Sequence, residues 1–434
     1  MQVTRRGEGV REGRSAVYKI IILATLLAVA GSAGAATYYV DEVNGADDPS
    51  RSGGPGDPWR TITYALSRVS GENTFMCRGT FEEEAEVGRD DDRSTFVANP
   101  EAAIRGSITT AYEVVFLELD DFDIFGYAGG GSKAYVEANN CYFNYPSGEA
   151  FQIARFHGGG IADDCVFEDC GSVMSIPGFE FGTARFSRCD VKDCGSGISY
   201  SGEASVSATD CIFNNVESIA FGASIWGEFA TVKNCVLSNC GTGVSMVGTW
   251  FGGYGTIADS TFKFNNVPIA ATHNVEDYGG IRITDNAVTE NYGAGVTVGG
   301  VRIELRGNLI EDNDGHGVYI TEGNPDLGTP PDPGGNTFAG NKSGYDVYNA
   351  SPENIAAVGN TWDQRSESEM AGKTWQEVNV TRIYDHWDDP SVGYVMWSEP
   401  ILGVAPASLG QIKASFREGA PSGSLTPSPS SAVH

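Results

Sequence analysis

The chain has 434 residues, and 57 Asp and Glu against 28 Lys and Arg leave it a formal net charge of −29. So acidic a chain has no general attraction for nucleic-acid phosphates or anionic lipid, while 41% hydrophobic residues are enough to build a core. Glycine fills 57 positions without a Gly-X-Y period, which points to a chain that turns often.

Arg5, Arg6, Arg11, Arg14 and Lys19 precede an apolar run at residues 20–30, then the small stretch 31–35. This is the layout of a secretory signal peptide over residues 1–35, with Ala33-Gly34-Ala35 at the cleavage site. The run falls short of the roughly 20 residues a membrane span needs, so a retained anchor is the weaker alternative. Arg5-Arg6 is followed by Gly7-Glu8-Gly9 and not by apolar residues, unlike a twin-arginine signal. The expected mature protein is secreted or at the cell surface, without a transmembrane span, and at −32 is more acidic than its precursor.

Beyond residue 36 a repeat of about 24 residues organises the chain. Asn140-Cys141-Tyr142-Phe143 aligns with Asp164-Cys165-Val166-Phe167, Arg188-Cys189-Asp190-Val191, Asp210-Cys211-Ile212-Phe213 and Asn234-Cys235-Val236-Leu237. The same column continues through Ser260, Ala287's predecessor Asn286, Asn308, Asn336 and Asn360, and two positions on each coil carries an apolar residue, from Phe143 to Trp362. A second column, five positions on, holds Cys170, Cys194, Cys240, Asn265, Asn291, Asn313 and Asn341. Gly-x-Gly-apolar segments follow, as in Gly195-Ser196-Gly197-Ile198 and Gly315-His316-Gly317-Val318.

Short strands of period two, broken by Gly and Asn every few residues, cannot bury their apolar face alone. Stacked in register, equivalent coils bury one continuous column and pair each backbone with its neighbours. A helical reading fails because glycine recurs inside every candidate segment. About twelve coils at about 4.8 Å each make a rod on the order of 55 Å long. The glycines are expected to supply the special backbone angles of the turns.

With these columns the chain resembles the right-handed parallel β-helix (pectin lyase-like) superfamily, secreted bacterial type. The resemblance covers residues 37–403. It includes Thr37-Tyr38-Tyr39-Val40-Asp41 and Trp59-Arg60-Thr61-Ile62-Thr63-Tyr64-Ala65-Leu66, similar to an opening strand and capping helix. Asn73-Thr74-Phe75-Met76-Cys77 is similar to a first coil, and Ile383-Tyr384-Asp385-His386-Trp387-Asp388 to a closing segment. The implied fold is an all-β, single-stranded right-handed parallel β-helix spanning residues 36–403. Residues 36–74 hold the N-terminal strand and capping helix, 75–363 the coils, and 364–403 a C-terminal cap with Trp375, Trp387 and Trp397. Residues 404–434 form a Pro/Ser-rich tail with a small amphipathic island at 409–417.

Chemistry is harder to find. Nine cysteines in an exported chain suggest disulfides, but most sit in the two columns, where stacked free thiols act as small hydrophobes. Both readings stand, with the stack favoured, and no CxxC or His in the columns supports zinc. Gly315-His316-Gly317 is similar to a polygalacturonase motif, and Asp163-Asp164 to that family's aspartate pair, yet six coils separate them.

On the outward side, Arg188 falls between Asp164 and Asp210 in the position before the column, and Glu168 pairs with Lys192. β-Helical lyases are similar in needing carboxylates for calcium and a basic residue. An Arg between carboxylates stays protonated, however, and makes a poor base. Aromatics recur eight to ten positions before the column, as Trp226, Trp250 with Phe251, and Tyr278. They are either a stacking platform for sugar rings or a corner of the core. Calcium is a possible ligand of Asp90-Asp91-Asp92, Asp120-Asp121, Asp123 or Asp388-Asp389, although none fits a defined calcium loop.

The expected function is therefore binding of polysaccharide or cell-envelope material without a clear catalytic set. The substrate-binding candidates are Trp226, Trp250, Phe251, Tyr278, Asp164, Arg188 and Lys192. A polysaccharide lyase or glycoside hydrolase is the alternative, and a structural or adhesive rod the third reading.

Overall fold

A computed structural model describes residues 35–88, 93–111, 116–130, 134–153, 158–176, 182–203, 205–225, 229–249 and 253–399. The expected signal peptide up to residue 34, the last four residues of the expected cap (400–403), the tail (404–434) and the Asp90-Asp91-Asp92 run lie outside the described residues.

The chain winds as a right-handed parallel solenoid of about ten turns. One coil serves as a template. Gly159–Asp163 lies on a first face, Val166–Glu168 on a second and Ser172–Ile176 on a third, each separated by a sharp corner. Every strand pairs in parallel with its equivalents above and below: Gly159–Asp163 matches Tyr135–Asn139 on one side and Thr183–Ser187 on the other without slippage. Inward positions alternate with outward ones, so Ala162, Phe186, Ala208 and Val232 are fully buried at equivalent rungs. Phe143 stacks on Phe167 at 4.8 Å and Phe338 on Trp362 at 4.9 Å, in the column that begins two positions after Cys141.

The corners have a cause that the columns only hint at. The residue before each column position adopts a left-handed backbone: Asn140, Asp164, Arg188, Asp210, Asn234, Asp259 and Asp285 all have φ between 51° and 57°. The same holds one corner later, from Asp169 and Asp193 to Asp312. Asn and Asp tolerate this region best among residues with a side chain. Their recurrence is thus backbone chemistry before it is surface charge.

The expectation for glycine holds in part: Gly307, Gly335, Gly340 and Gly359 take these same left-handed corners, with φ between 63° and 76°. Gly195, Gly197, Gly241, Gly243, Gly315 and Gly317 are absent from the positive-φ positions. Gly197 is needed for room: a Cβ there would lie 2.1 Å from the Ala220 carbonyl oxygen of the next coil. These glycines let neighbouring turns approach, while the bending falls to the corner residues, mostly Asp, Asn and other glycines.

Inside the corners the two columns stack as expected. All nine cysteines are buried and free, and Cys165 and Cys189 point their thiols at the Ala138 and Ala162 carbonyls of the preceding coil, each at 3.3 Å. From Ser260 onward amides replace thiols. Asn308 accepts from the Asn286 amide nitrogen and Nδ2, and its own Nδ2 donates to Ile283 and Asn336.

At the start, Ala36–Asp41 pairs with Asn73–Phe81, and a short helix α1 (Ile62–Arg68) buries Ile62, Ala65 and Leu66. Thr61 caps it by accepting from the Tyr64 amide. At the other end a helix α2 (Gln364–Met370) begins at Asp363, which accepts from Ser366. Arg382 ties this segment to the rod through fully buried Asp346 and through Asp363, both at 2.9 Å. Among the described residues no helix is long and apolar enough to cross a membrane.

Charge is unevenly shared between faces. First- and second-face strands carry Lys and Arg paired with carboxylates of neighbouring coils, as in Lys192–Glu168, Lys263–Glu290 and Arg282–Glu304, each at 2.9 Å. The third-face strands from Ser172–Ile176 to Val296–Gly300 contain no Asp, Glu, Lys or Arg.

Candidate functional site

The structure brings some of the expected site residues together and separates others. Arg188 does not bridge Asp164 and Asp210. It turns wholly to the preceding coil, donating from Nε and Nη2 to Asp164 at 3.0 Å and from Nη2 to Asp163. Those bonds, chiefly with Asp164, raise its pKa, so it stays a cation and cannot serve as a base. Asp210 accepts instead from Asn234. Lys192 lies on the second face, closed in an ion pair with Glu168; Tyr142 also donates to that carboxylate. This pair is a surface ladder, and it stands off the first face. Trp226, Trp250 and Phe251 lie outside the described residues. Tyr278 sits 68% exposed in the connection that leads from Val267–His273 into Gly280–Thr284 of the first face.

The aromatic row that the structure does place lies six positions before the column. Along the first face, in register, run Phe116, Tyr135, Gly159, Thr183, Ser205, Phe229, Tyr254 and Gly280. The side chains of this row point outward, since their neighbours Val136, Ala184, Val206 and Ala230 are buried. Tyr135, Phe229 and Tyr254 are 46%, 55% and 49% exposed. The result is two aromatic steps with small residues between them. Phe116 and Tyr135 stack at 6.4 Å, Phe229 and Tyr254 at 5.4 Å, and the four rungs from Tyr135 to Phe229 span about 19 Å. Tyr135 lies down toward Gly159, where a Cβ would come 2.6 Å from its ring. Alternation alone marks this row: Phe229-Ala230-Thr231-Val232-Lys233 buries Ala230 and Val232, which leaves Phe229 outside.

Next to the small rungs the floor is polar. Arg185 and Ser207 stand two positions on, and Ser187 and Thr209 four positions on, at the same rungs as Thr183 and Ser205. One edge of this trough is the corner holding Asp163, Asp164 and Arg188, and the other is the set of connections that includes Tyr278. Asp163 keeps Oδ1 buried without a hydrogen-bond partner among the described residues. Two rungs away, Asp120 has its pKa pushed up to about 6, mainly by burial and then by the charge of Asp121, against a hydrogen bond from Asn140. Glu149, at the edge of the third face, is pushed up to about 7 by burial although it accepts from the Ser175 amide.

Among the described residues no group of three or more His, Cys, Asp or Glu could hold a metal ion. Asp389 is spent on the amide and hydroxyl of Ser391, and Asp388 accepts from the Asp385 amide. His316 likewise is no partner for Asp163 and Asp164. Its ring stacks on Tyr348 at 4.6 Å and its Nδ1 meets Ser343 Oγ at 2.7 Å, beside the third face.

The comparisons with known proteins bear on the fold. Residues 219–362 match the family described as right handed beta helix region. A solved rhamnogalacturonan lyase is 11% identical, with 65% of this chain and 82% of that chain covered at a TM-score of 0.27. The GH136 lacto-N-biosidase from Eubacterium ramulus is 10% identical, with 84% and 67% covered at a TM-score of 0.28. Likenesses this low bear on neither substrate nor reaction. No curated sequence matches the chain. The matched segment carries the same corners and columns as the coils before it, and the described residues fold as a right-handed parallel β-helix.

Proposed function

We propose that the protein is an extracytoplasmic, surface-associated β-helix that binds a polysaccharide lengthwise along its first face. The observation that carries this is the aromatic–small–aromatic column Tyr135, Gly159, Thr183, Ser205, Phe229 and Tyr254. Tyr254 stacks on Phe229, which stays 55% exposed, and the rung before carries Ser205 in the same column. An aromatic face suits the apolar side of a pyranose, and the hydroxyls of Thr183, Ser205, Ser207 and Thr209 suit its polar rim. With a net charge of −29, a neutral chain is favoured over a polyanionic one. The signal-like N-terminus supports delivery to a compartment where such polymers are met.

Affinity electrophoresis against a panel of soluble neutral and acidic polysaccharides tests this. The wild type should be retarded by at least one neutral member, and Phe229→Ala/Tyr254→Ala should lose about tenfold or more in affinity. Equal retardation of both proteins, or retardation only by acidic polymers, would overturn the reading.

A second reading, glycoside hydrolysis, is favoured by Asp120 and Asp163. Their registers place them two rungs, about 10 Å, apart at one edge of the trough, close to the separation of an inverting pair. Asp120, with its raised pKa, would be the acid. Release of reducing ends by the wild type, abolished in Asp120→Asn, would establish it; binding without products excludes it.

A further inference from the structure

We infer that the third face is a self-association surface, on which two copies of this chain pack antiparallel about a two-fold axis through Ala270. Three independent features of the face lead there.

The first is charge. In a chain of −29, two copies repel wherever carboxylates face each other. The third-face strands from Ser172–Ile176 to Val296–Gly300 have no charged side chain, and the next, Val318–Gly323, adds only Glu322. Their outward residues form a lattice of mostly Ser, Thr, Gly, Ala and Val with one Ile219, a surface of the kind that packs sheet on sheet.

The second is size. The central outward column runs Ser175, Ser199, Gly222, Ser245, Ala270, Thr297, Tyr319, Tyr348 and Tyr384, paired rung to rung. Its middle member is Ala270. A two-fold axis there sets Tyr384 opposite Ser175, Tyr348 opposite Ser199, Tyr319 opposite Gly222, and Thr297 opposite Ser245. Every large residue meets a small one. A C2 interface requires such self-complementarity, and a parallel arrangement would instead set tyrosine on tyrosine. The tyrosines are poor sugar platforms in any case, because Tyr348 and Tyr384 stack face on face at 4.2 Å with an interplanar angle of 1° and present mainly their edges.

The third is area. Nine rungs at about 4.8 Å and a strand width of about 17 Å give about 650 Å² per copy, about 1,300 Å² in all, within the range of stable interfaces. The first face, with its trough, stays open in such a dimer.

Sedimentation velocity of the full chain at several salt concentrations is the test. The wild type should dimerise, more tightly at higher salt because screening relieves the repulsion between the acidic faces. Ser199→Tyr sets Tyr on Tyr and Tyr348→Ser leaves a gap, so each should weaken the dimer about tenfold or more. The double variant restores the pairing across the axis and should recover wild-type association, which a folding defect would not do. Ala270→Asp brings two carboxylates together at the axis and should give a monomer, whereas Val236→Asp on the second face should not. A wild type that is monomeric at all salts, or single variants that dimerise as well as the wild type, or a double variant that fails to recover, would overturn the inference.

Discussion

Asn308→Ala is expected to lower the stability of the rod by about 3–5 kcal/mol. Asn308 is 1% exposed and serves three coils at once. Its Oδ1 accepts from the Asn286 backbone amide at 3.1 Å and from Asn286 Nδ2 at 3.0 Å, and its Nδ2 donates to Ile283 O at 2.8 Å and Asn336 Oδ1 at 2.9 Å. Removing the side chain strands buried donors and acceptors that no water reaches, and each costs about 1–3 kcal/mol. Cys165→Ala, at the equivalent position in the thiol half of the same column, should cost only about 1–2 kcal/mol. A thiol is a weak donor, and its loss leaves a small void and no stranded amide. Urea unfolding followed by circular dichroism measures both. Equal losses would mean that the amide ladder contributes only volume.

Arg382→Met should cost about 3–5 kcal/mol near neutral pH, because Asp346 is fully buried and Arg382 is its cationic partner. Arg382 also holds Asp363, the cap of α2, and donates to the Asn341 carbonyl at 2.8 Å. The pH dependence has a definite sign. Burial raises the pKa of Asp346, and the bonds from Arg382 pull against that rise. Without Arg382 the folded pKa must climb further. A carboxyl whose folded pKa lies above its unfolded value stabilises the fold below the unfolded value and loses that contribution as pH rises through the folded one. The deficit of the variant should therefore be largest at neutral pH and shrink toward about pH 4, where Asp346 takes up a proton. Thermal unfolding across that range measures it. A deficit that stays constant with pH would show that Asp346 is not the group left uncompensated.

Much of the architecture is legible in the residues because the repeat is driven by interior chemistry. Cys141 through Asn360 mark one corner in every coil, and the Phe143 column marks the core two positions later. What the pattern conceals is why those corners exist. Asp164 and Arg188 read as charged surface, yet both are left-handed corner residues whose side chains then pair as a consequence of position. The candidate site was legible in part. Arg188 and Asp164 lie at the corner beside the trough and Tyr278 lies exposed, while Tyr135, Phe229 and Tyr254, six positions before the column, are marked only by alternation within their strands. The connections vary in length while the first-face strands from Tyr135–Asn139 to Gly280–Thr284 do not, so positions counted inside those strands keep their register from coil to coil. The complementarity of Ser199 with Tyr348 is invisible in a linear chain, since it needs both the parallel register and the choice of a central rung.

The most direct measurement of the account's central claim is a crystal structure with an oligosaccharide cut from whichever neutral polysaccharide the protein retains. The sugar chain should run along the rod on the first face, with one ring against Phe229 and its hydroxyls bonded to Thr183, Ser205 or Ser207. A chain lying across the second face, or on the lattice around Ser245 and Ala270, would contradict it.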